Sequence, residues 1–276
     1  MSMGSNSSKS QLHILGLQSN LAWENPESNR VNFEQKIRSR LLEFPETDLI
    51  VLPEVFTTGF TMNLSKIDSW ESRETLNWMT LLSSELNIAL TGSIAFRFED
   101  GTARNRSLFV RPDWSLEFYD KKHLFSLGSE DAFFEKGLVK RIVEFRGWKI
   151  LLQICYDLRF PCFSRNTLAD RYDIALYVAN WPQTRIQHWH TLLQARAIEN
   201  QCYVMGVNRN GTDANGIIYP GESLAVDFYG NICEQTTKNN TVKLVCDRPS
   251  LEEFKTKFPV LVDGDYYSYK SGLKLN

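Results

Sequence analysis

Short apolar runs alternate with longer amphipathic segments along most of this chain. Several of the short runs, such as Leu49–Pro53 and Ile174–Ala179, are almost continuously apolar. Continuous apolar runs of this length are typical of strands that are covered on both faces. The pattern predicts strands at Leu12–Gln18, Leu49–Pro53, Ile88–Ala95, Ser107–Arg111, Lys149–Tyr156, Ile174–Ala179, Tyr203–Asn208, Ser223–Asp227 and Val242–Asp247.

The longer segments carry apolar residues at the spacing of one helix face. Between residues 28 and 44, for example, this face is formed by Val31, Phe33, Ile37 and Leu41. Pro161 suits the first turn of another helix, where its missing N–H is not needed. The pattern predicts helices at Ser28–Phe44, Ser69–Asn87, Phe160–Ala169 and Gln187–Asn200.

The predicted elements follow the order β-α-β-α-β-β twice, which favours one α/β domain built from two similar halves. A short turn at Glu99–Gly101 separates Ile88–Ala95 from Ser107–Arg111, so these two strands are expected to form an antiparallel hairpin. The sheets should therefore be mixed. The Gly- and Asn-rich stretch Asn208–Gly216 predicts a long loop.

The composition is that of an ordinary globular protein. The 276 residues are 42% hydrophobic and 23% charged, and the formal net charge is -2. A near-neutral chain gives no electrostatic basis for binding nucleic acid or an anionic membrane. No apolar run approaches the roughly 20 residues of a membrane-spanning helix, and the polar start has no signal-peptide pattern. We therefore expect a cytoplasmic protein with a disordered leader or tag remnant at residues 1–10 and one domain over residues 11–276.

The chain has five cysteines, and no Cys-x-x-Cys motif is present. The usual zinc-ribbon and thioredoxin signatures are therefore missing. An odd number of cysteines in a long chain favours free thiols in a reducing compartment. Free cysteines mostly pack as small buried hydrophobes, and we expect this of Cys162, Cys202, Cys233 and Cys246.

Three segments place a charged or reactive side chain at the end of an apolar stretch, where α/β proteins gather functional groups. Glu54 follows the predicted strand at residues 49–53 and could be a general base or one half of a structural salt bridge. Lys121 and Lys122 could supply a cation for a developing oxyanion, or belong to a solvated basic loop.

Cys155 lies at the junction between a predicted strand and a predicted helix start. Helix N–H groups and a neighbouring cation can lower the pKa of a thiol at such a position. The backbone N–H groups that follow can also face a substrate oxyanion. This placement favours a nucleophile over a core cysteine.

Together these segments resemble the nitrilase superfamily of carbon–nitrogen hydrolases. The resemblance is carried, in the family's chain order, by Leu52-Pro53-Glu54, Lys121-Lys122-His123-Leu124-Phe125 and Cys155-Tyr156-Asp157-Leu158-Arg159-Phe160-Pro161. Further matches extend it over nearly the whole chain: Ala179–Pro182, Ala195–Asn200, Val207–Arg209, Gly211–Asp213 and Tyr219–Ser223.

The resemblance implies an α-β-β-α four-layer sandwich with mixed sheets, usually assembled as a homodimer or higher homo-oligomer, and we expect no metal or other cofactor. It implies a catalytic triad of Glu54, Lys121 and Cys155. A second glutamate that orients the lysine matches Glu130, with Glu135 as the competing assignment.

The ω-amidase branch is the most similar, which implies hydrolysis of α-keto acid ω-amides such as α-ketoglutaramate and α-ketosuccinamate. The reaction would pass through a cysteine thioester. Glu54 would take the thiol proton, Cys155 would attack, and Lys121 with the backbone N–H of Tyr156 would stabilise the oxyanion.

Aromatic residues beside these motifs are candidates to wall a small cavity: Phe125, Phe160 and Trp181. An anionic substrate also needs a cation for its carboxylate, and Arg159 and Arg209 are the candidates. Arg159 could instead form an ion pair inside the protein with Asp157 or Glu199.

Other interpretations stay open at this point. A papain-like pairing of Cys155 or Cys162 with His123, His188 or His190 lacks the flanking signature. A metal site at His188 and His190 is disfavoured because i,i+2 residues do not share a helix face. Nitrile hydrolysis, N-carbamoyl amino acid hydrolysis and acyl transfer use the same triad within the family. A non-catalytic binding or scaffold member is the alternative of another class.

Overall fold

Two mixed β-sheets are the framework of the protein, whose computed structural model describes residues 8–236 and 239–265. The strands are β1 (Gln11–Leu17), β2 (Leu49–Val51), β3 (Ala89–Arg97), β4 (Ala103–Val110), β5 (Leu116–Asp120), β6 (Arg141–Phe145), β7 (Trp148–Ile154), β8 (Ile174–Ala179), β9 (Tyr203–Asn208), β10 (Asn210–Thr212), β11 (Ile218–Pro220), β12 (Leu224–Val226), β13 (Ile232–Gln235) and β14 (Thr241–Asp247). The α-helices are α1 (Pro26–Glu43), α2 (Ser69–Leu86), α3 (Glu130–Phe133), α4 (Pro161–Ser164), α5 (Ile186–Asn200) and α6 (Arg248–Lys257).

Each large sheet has six strands, in the orders β14-β1-β2-β3-β4-β5 and β13-β12-β9-β8-β7-β6. The central strands are parallel in both sheets, β1-β2-β3 in the first and β7-β8-β9 in the second. The strands that flank them are antiparallel, including the predicted hairpin of β3 and β4. The expectation of mixed sheets is confirmed.

Alternating side chains along the strands build the layers. Leu12 and Ile14 of β1 face the second sheet and belong to the core between the sheets, whereas Leu15 and Leu17 face helices α1 and α2. Helix α5 covers the outer face of the second sheet through residues such as Trp189. Because each sheet is covered on both faces, its central strands are apolar throughout. The α-β-β-α four-layer sandwich is confirmed.

The predicted helix Phe160–Ala169 is much shorter in the structure. Its place is taken by a 3₁₀ turn, Cys155–Arg159, and the four-residue helix α4. Buried Asn166 ends the helix, because its side chain donates to the carbonyl of Tyr172 and accepts the Tyr172 N–H. An asparagine that bonds to the backbone in this way competes with continued helix formation.

Several elements were missed by the apolar pattern. Strand β10 lies inside the predicted loop Asn208–Gly216 and pairs with β11. Helix α6 was missed because it buries little apolar surface, with Leu251 as its buried residue. The sequence does carry a signal for the start of this helix. Asp247 is a favourable N-cap residue, whose side chain accepts from the Ser250 N–H, and a proline lies in the first turn.

The structure describes only the last part of the predicted leader. Lys9 donates its backbone N–H to Arg146 O at 3.1 Å and its ammonium to Asp48 at 2.6 Å. Residues 1–7 lie outside the described residues, so the leader remains a prediction there. In the described part of the chain, no helix has the length and apolar character needed to cross a membrane.

The cysteines divide into two groups by burial. Cys202 and Cys246 are buried, as expected of core thiols, but Cys162 and Cys233 are exposed. The packing expectation was wrong for these two because α4 and the edge strand β13 present them to solvent.

The two sheets approach closely at Gly16 of β1. A Cβ atom at this position would lie 2.5 Å from a methyl group of Val207 in the opposite sheet and 2.8 Å from one of Val242. Real Cβ atoms do not approach so closely, so a side chain here would push the sheets apart.

We expect Gly16→Ala to destabilise the protein by about 1–3 kcal/mol through overpacking. Equilibrium unfolding in urea measures this change. Val207→Ala should relieve part of the clash, so the double variant should be more stable than the sum of the single changes predicts. Additive free energies would contradict the close approach.

Candidate active site

The ends of strands from both sheets meet at one edge of the sandwich. Glu54 follows β2, Cys155 follows β7, and Asn180 follows β8. Lys121 follows β5, an edge strand of the first sheet. The carboxyl ends of neighbouring strands are where α/β proteins place their sites, and here the two sheets contribute to the same one.

Glu54 is fully buried, and both of its carboxylate oxygens accept hydrogen bonds. Oε1 accepts from Lys121 Nζ at 2.7 Å and from Asn105 Nδ2 at 2.9 Å. Oε2 accepts the Asn180 backbone N–H at 2.8 Å. These contacts fix the carboxylate in one orientation and offset the cost of burying its charge.

Lys121 lies between two carboxylates with its side chain fully shielded from solvent. Its ammonium is 2.7 Å from Glu54 and 2.9 Å from Glu130. The ring of Phe60 lies 5.4 Å away on another side. A buried lysine needs such partners because leaving an ammonium unpaired in the interior is costly.

Glu130, and not Glu135, occupies the position beside the lysine. Glu130 is buried at the start of α3, and its Oε2 also accepts the Phe125 N–H at 2.7 Å. Glu135 is 52% exposed and pairs with Arg104 at 2.9 Å. The geometry therefore selects Glu130 from the two candidates.

Cys155 opens the 3₁₀ turn with a backbone φ of 44°, a region that residues other than glycine seldom adopt. The residue is partly buried, and its Sγ lies 4.0 Å from the Asn180 carbonyl oxygen. Strain of this kind persists where the surrounding structure holds it, and it often marks a functional position. The following N–H, of Tyr156, belongs to the first turn, whose N–H groups have no acceptor within the helix.

The protonation states follow from burial and charge. Burial raises the pKa of the Cys155 thiol well above its ordinary value, and the negative charge of Glu54 raises it further. Burial would also raise the pKa of Glu54, but Lys121 and the Asn180 hydrogen bonds outweigh it and hold that pKa below its usual value. Burial opposes the charge of Lys121, but Glu130 and Glu54 raise its pKa. At neutral pH the site therefore holds a thiol, a carboxylate and an ammonium.

The strand-to-helix position could have lowered the pKa of the Cys155 thiol, but in the structure that pKa is raised by burial and by Glu54. A short 3₁₀ turn replaces the predicted helix, and the thiol lies beside the buried carboxylate of Glu54. A reaction at this thiol therefore requires a base, and the carboxylate of Glu54 lies beside it.

A cavity of about 680 Å³ opens above Cys155. Aromatic side chains form much of its wall: Trp23, Phe60, Phe125, Tyr156 and Trp181. Aromatic walls around a few polar groups are typical of a small-molecule site. Phe125 and Trp181 thus line the cavity, as the sequence analysis predicted.

Two arginines face this cavity. The Arg159 guanidinium stacks 4.7 Å from the Trp181 ring and donates to His188 Nδ1 at 3.2 Å. Arg185, which the sequence reading missed, lies 5.6 Å from the Phe125 ring. Burial lowers the pKa of Arg159, and the charge of Arg185 lowers it further.

Two predicted pocket residues lie elsewhere. Phe160 does not line the cavity but stacks on His123, with ring centroids 3.8 Å apart. Arg209 is buried behind the wall, where it donates to Asn20 at 3.0 Å and packs against the ring of Tyr219. Its position at a strand end was right, but its side chain turns away from the cavity.

Two asparagines of the site were also missed. Asn180 donates its N–H and side-chain amide to Glu54, and it follows the apolar strand β8 just as Glu54 follows β2. The strand-end rule would therefore have found it. Asn105 donates to Glu54 at 2.9 Å and to Glu130 at 3.0 Å. It lies in β4 before the predicted start of that strand at Ser107.

The histidines of the rival pairings have other partners. His123 Nδ1 lies 2.8 Å from Asp157, and His190 Nε2 lies 2.9 Å from Glu222. Arg159 bonds to His188 rather than to Asp157 or Glu199. Within residues 8–236 and 239–265, no group of three or more His, Cys, Asp and Glu side chains is arranged to hold a metal ion.

Comparison with known proteins gives a consistent result. A family model described as carbon-nitrogen hydrolase matches residues 12–255. The chain is 42% identical over 260 residues to omega-amidase YafV of Yersinia enterocolitica, covering 94% of this chain and 98% of that protein. It is 29% identical over 250 residues to 2-oxoglutaramate amidase of Bacillus subtilis, covering 90% and 95%.

A solved structure is similar over nearly the same length. XC1258 from Xanthomonas campestris, described as a CN-hydrolase superfamily protein with an arsenic adduct in the active site, has a TM-score of 0.87 and 37% sequence identity. The match covers 94% of this chain and 99% of that one.

The charges around Cys155 predict opposite effects of two substitutions. Glu54→Gln removes the negative charge that raises the thiol pKa, so the pH midpoint of Cys155 alkylation by iodoacetamide should fall. Lys121→Met removes the cation that lowers this pKa, so the midpoint should rise. Mass spectrometry of the Cys155 peptide measures both shifts, with exposed Cys162 as the internal control. Shifts in the same direction would contradict this charge arrangement.

Proposed function

The chain belongs to the carbon–nitrogen hydrolase family, and we propose that it is an ω-amidase that hydrolyses α-keto acid ω-amides such as 2-oxoglutaramate. The observation that carries this proposal is the contact of Lys121 with Glu54 beside Cys155, below a cavity that two arginines face. The relatives named omega-amidase and 2-oxoglutaramate amidase support the choice of substrate.

The first step is attack on the amide carbonyl. Glu54 takes the thiol proton as the Cys155 sulfur forms a bond to the carbonyl carbon. Negative charge develops on the former carbonyl oxygen, and the Lys121 ammonium with the Tyr156 N–H stabilises it. Because the thiol is protonated at rest, proton transfer and attack are coupled.

The second step releases ammonia. Glu54 gives its proton to the nitrogen, the carbon–nitrogen bond breaks, and an acyl thioester on Cys155 remains. A water molecule then attacks the thioester carbon while Glu54 takes one of its protons. The carbon–sulfur bond breaks, the sulfur regains a proton, and the carboxylate product leaves.

Glu130 serves this reaction through the lysine. Its carboxylate is a second partner of the Lys121 ammonium, at 2.9 Å, and it accepts hydrogen bonds from Asn105 and the Phe125 N–H. With two carboxylate partners, Lys121 stays charged while Glu54 is protonated during the catalytic cycle. The oxyanion is then stabilised by a fixed positive charge on a side chain that is shielded from solvent.

The positive charges of the two arginines favour an anionic substrate. Neither Arg159 nor Arg185 forms an ion pair with a carboxylate among the described residues, and burial together with the charge of Arg185 lowers the pKa of Arg159. A substrate carboxylate between them would supply the missing counter-charge through charge-assisted hydrogen bonds. A short ω-amide then has its carboxylate at the arginines and its amide at Cys155.

Cytoplasmic location and assembly as a homodimer or higher homo-oligomer remain predictions from the sequence. Nitrile hydrolysis, N-carbamoyl amino acid hydrolysis and a purely scaffolding role are outcomes that the experiment below distinguishes.

The proposal predicts ammonia release from 2-oxoglutaramate and little from nitriles or N-carbamoyl amino acids. Cys155→Ala should lower this rate by about 10³-fold or more, because the thioester route is removed. Cys162→Ala is the matched control, since its exposed thiol lies on the following helix. An inert wild type on all these substrates, or an active Cys155→Ala, would exclude the proposed reaction.

Arg159→Gln and Arg185→Gln should each raise KM for 2-oxoglutaramate by about 10- to 100-fold, the effect of losing a hydrogen bond to a charged group. Turnover of a neutral amide of similar length should change little. Arg73→Gln, whose side chain pairs with Glu99 on the surface, is the control. Equal losses of activity on both substrates would mean that the arginines do not bind the substrate carboxylate.

A further inference from the structure

A third buried carboxylate, besides Glu54 and Glu130, lies near the site without a part in the proposed chemistry. Asp157 is fully buried, two residues after Cys155, and it does not line the cavity. A carboxylate at such a position is costly unless every lone pair has a donor. Its partners therefore indicate why it is present.

The contacts of Asp157 come from both sheets. Oδ1 accepts the His123 backbone N–H at 3.0 Å and lies 2.8 Å from His123 Nδ1. Oδ2 accepts the Tyr119 hydroxyl at 2.7 Å and the Ile154 N–H at 3.1 Å. In the tautomer with its proton on Nδ1, the His123 ring donates to this carboxylate.

These partners enclose two residues of the triad. Lys121 lies between Tyr119 and His123 in the chain, at the end of the first sheet. Cys155 lies between Ile154 and Asp157, at the end of the second sheet. One carboxylate thus joins the segment of the lysine to the turn of the cysteine.

Neighbouring contacts make this connection rigid. The Tyr119 hydroxyl also accepts the Lys122 N–H at 3.1 Å, so it bonds to the chain just after Lys121. The His123 ring stacks on Phe160 with an interplanar angle of 8°. Networks in which every member is bonded hold a geometry more firmly than separate pairs.

We propose that Asp157 is a positioning residue that sets the Lys121 ammonium relative to the Cys155 sulfur by joining the two sheets. The inference rests on the proposed amidase mechanism, in which both groups act on one carbonyl. A misplacement of about 1 Å can cost about 100-fold in rate, so a fixed relation between separately supported groups has a large effect.

His123 provides the cleanest test because its substitution leaves the Asp157 charge in place. His123→Phe keeps a ring on Phe160 but removes the Nδ1–H donor, and it should lower kcat for 2-oxoglutaramate about 10-fold or more while KM changes little. His123→Asn restores an N–H donor and should recover most of kcat. Asp157→Asn should lower kcat about 10- to 100-fold, because the Ile154 N–H loses its acceptor.

The pH midpoint of Cys155 alkylation is a second measurement, and it does not depend on turnover. Removing the Asp157 charge alone would lower the pH midpoint, whereas a displaced Lys121 raises it, as in Lys121→Met. A raised midpoint in Asp157→Asn and His123→Phe therefore supports the proposal. If the wild type releases no ammonia from any amide, the function is wrong, but these midpoints still decide the positioning role.

Asp173→Asn is the control for general destabilisation. Asp173 is a buried aspartate at the opposite end of β8, where it pairs with Lys255 and accepts the Lys149 N–H. It should lower the unfolding midpoint without changing kcat of the folded enzyme. The proposal is overturned if Asp157→Asn and His123→Phe behave in the same way, with lower stability and wild-type kcat and alkylation midpoint.

Discussion

The ammonium group of Lys121, held away from water between Glu54 and Glu130, is the interaction on which the rest of the site depends. Each partner belongs to a different element: the end of β2, the end of β5 and the start of α3. Breaking one buried pair leaves an uncompensated charge, at a cost of about 3–5 kcal/mol. The three elements therefore assemble together, and the site is part of what stabilises this edge of the sandwich.

The same cluster sets the order of proton transfers. Burial and, after it, the negative charge of Glu54 raise the pKa of the Cys155 thiol and keep it protonated. A protonated thiol is a weak nucleophile and is protected from adventitious oxidation or alkylation. Attack then requires a carbonyl held against the sulfur while Glu54 accepts the proton. Reactivity therefore depends on a correctly placed substrate.

Residues at the ends of apolar strands could be predicted from the sequence, because the apolar runs locate the strands. Glu54 and Cys155 follow from that rule, and Asn180 obeys it too. Lys121 depended on the family resemblance, since the sequence of β5 is too polar to be read as a buried strand. Arg185 and Arg209 show the limit of the method: a pattern places a backbone position, but the direction of a long side chain depends on packing against distant residues such as Asn20.

The turn Cys155–Arg159 shows why a 3₁₀ conformation suits this chemistry better than the predicted α-helix. Side chains three apart are eclipsed in a 3₁₀ turn, so Tyr156 and Arg159 share the side that faces the cavity. Asp157 then points inward to the Lys121 segment. At a rise of about 2 Å per residue, the Arg159 backbone lies about 8 Å along the turn from Cys155. Under the proposed mechanism, one short turn thus carries both the nucleophile and an arginine that binds the substrate carboxylate.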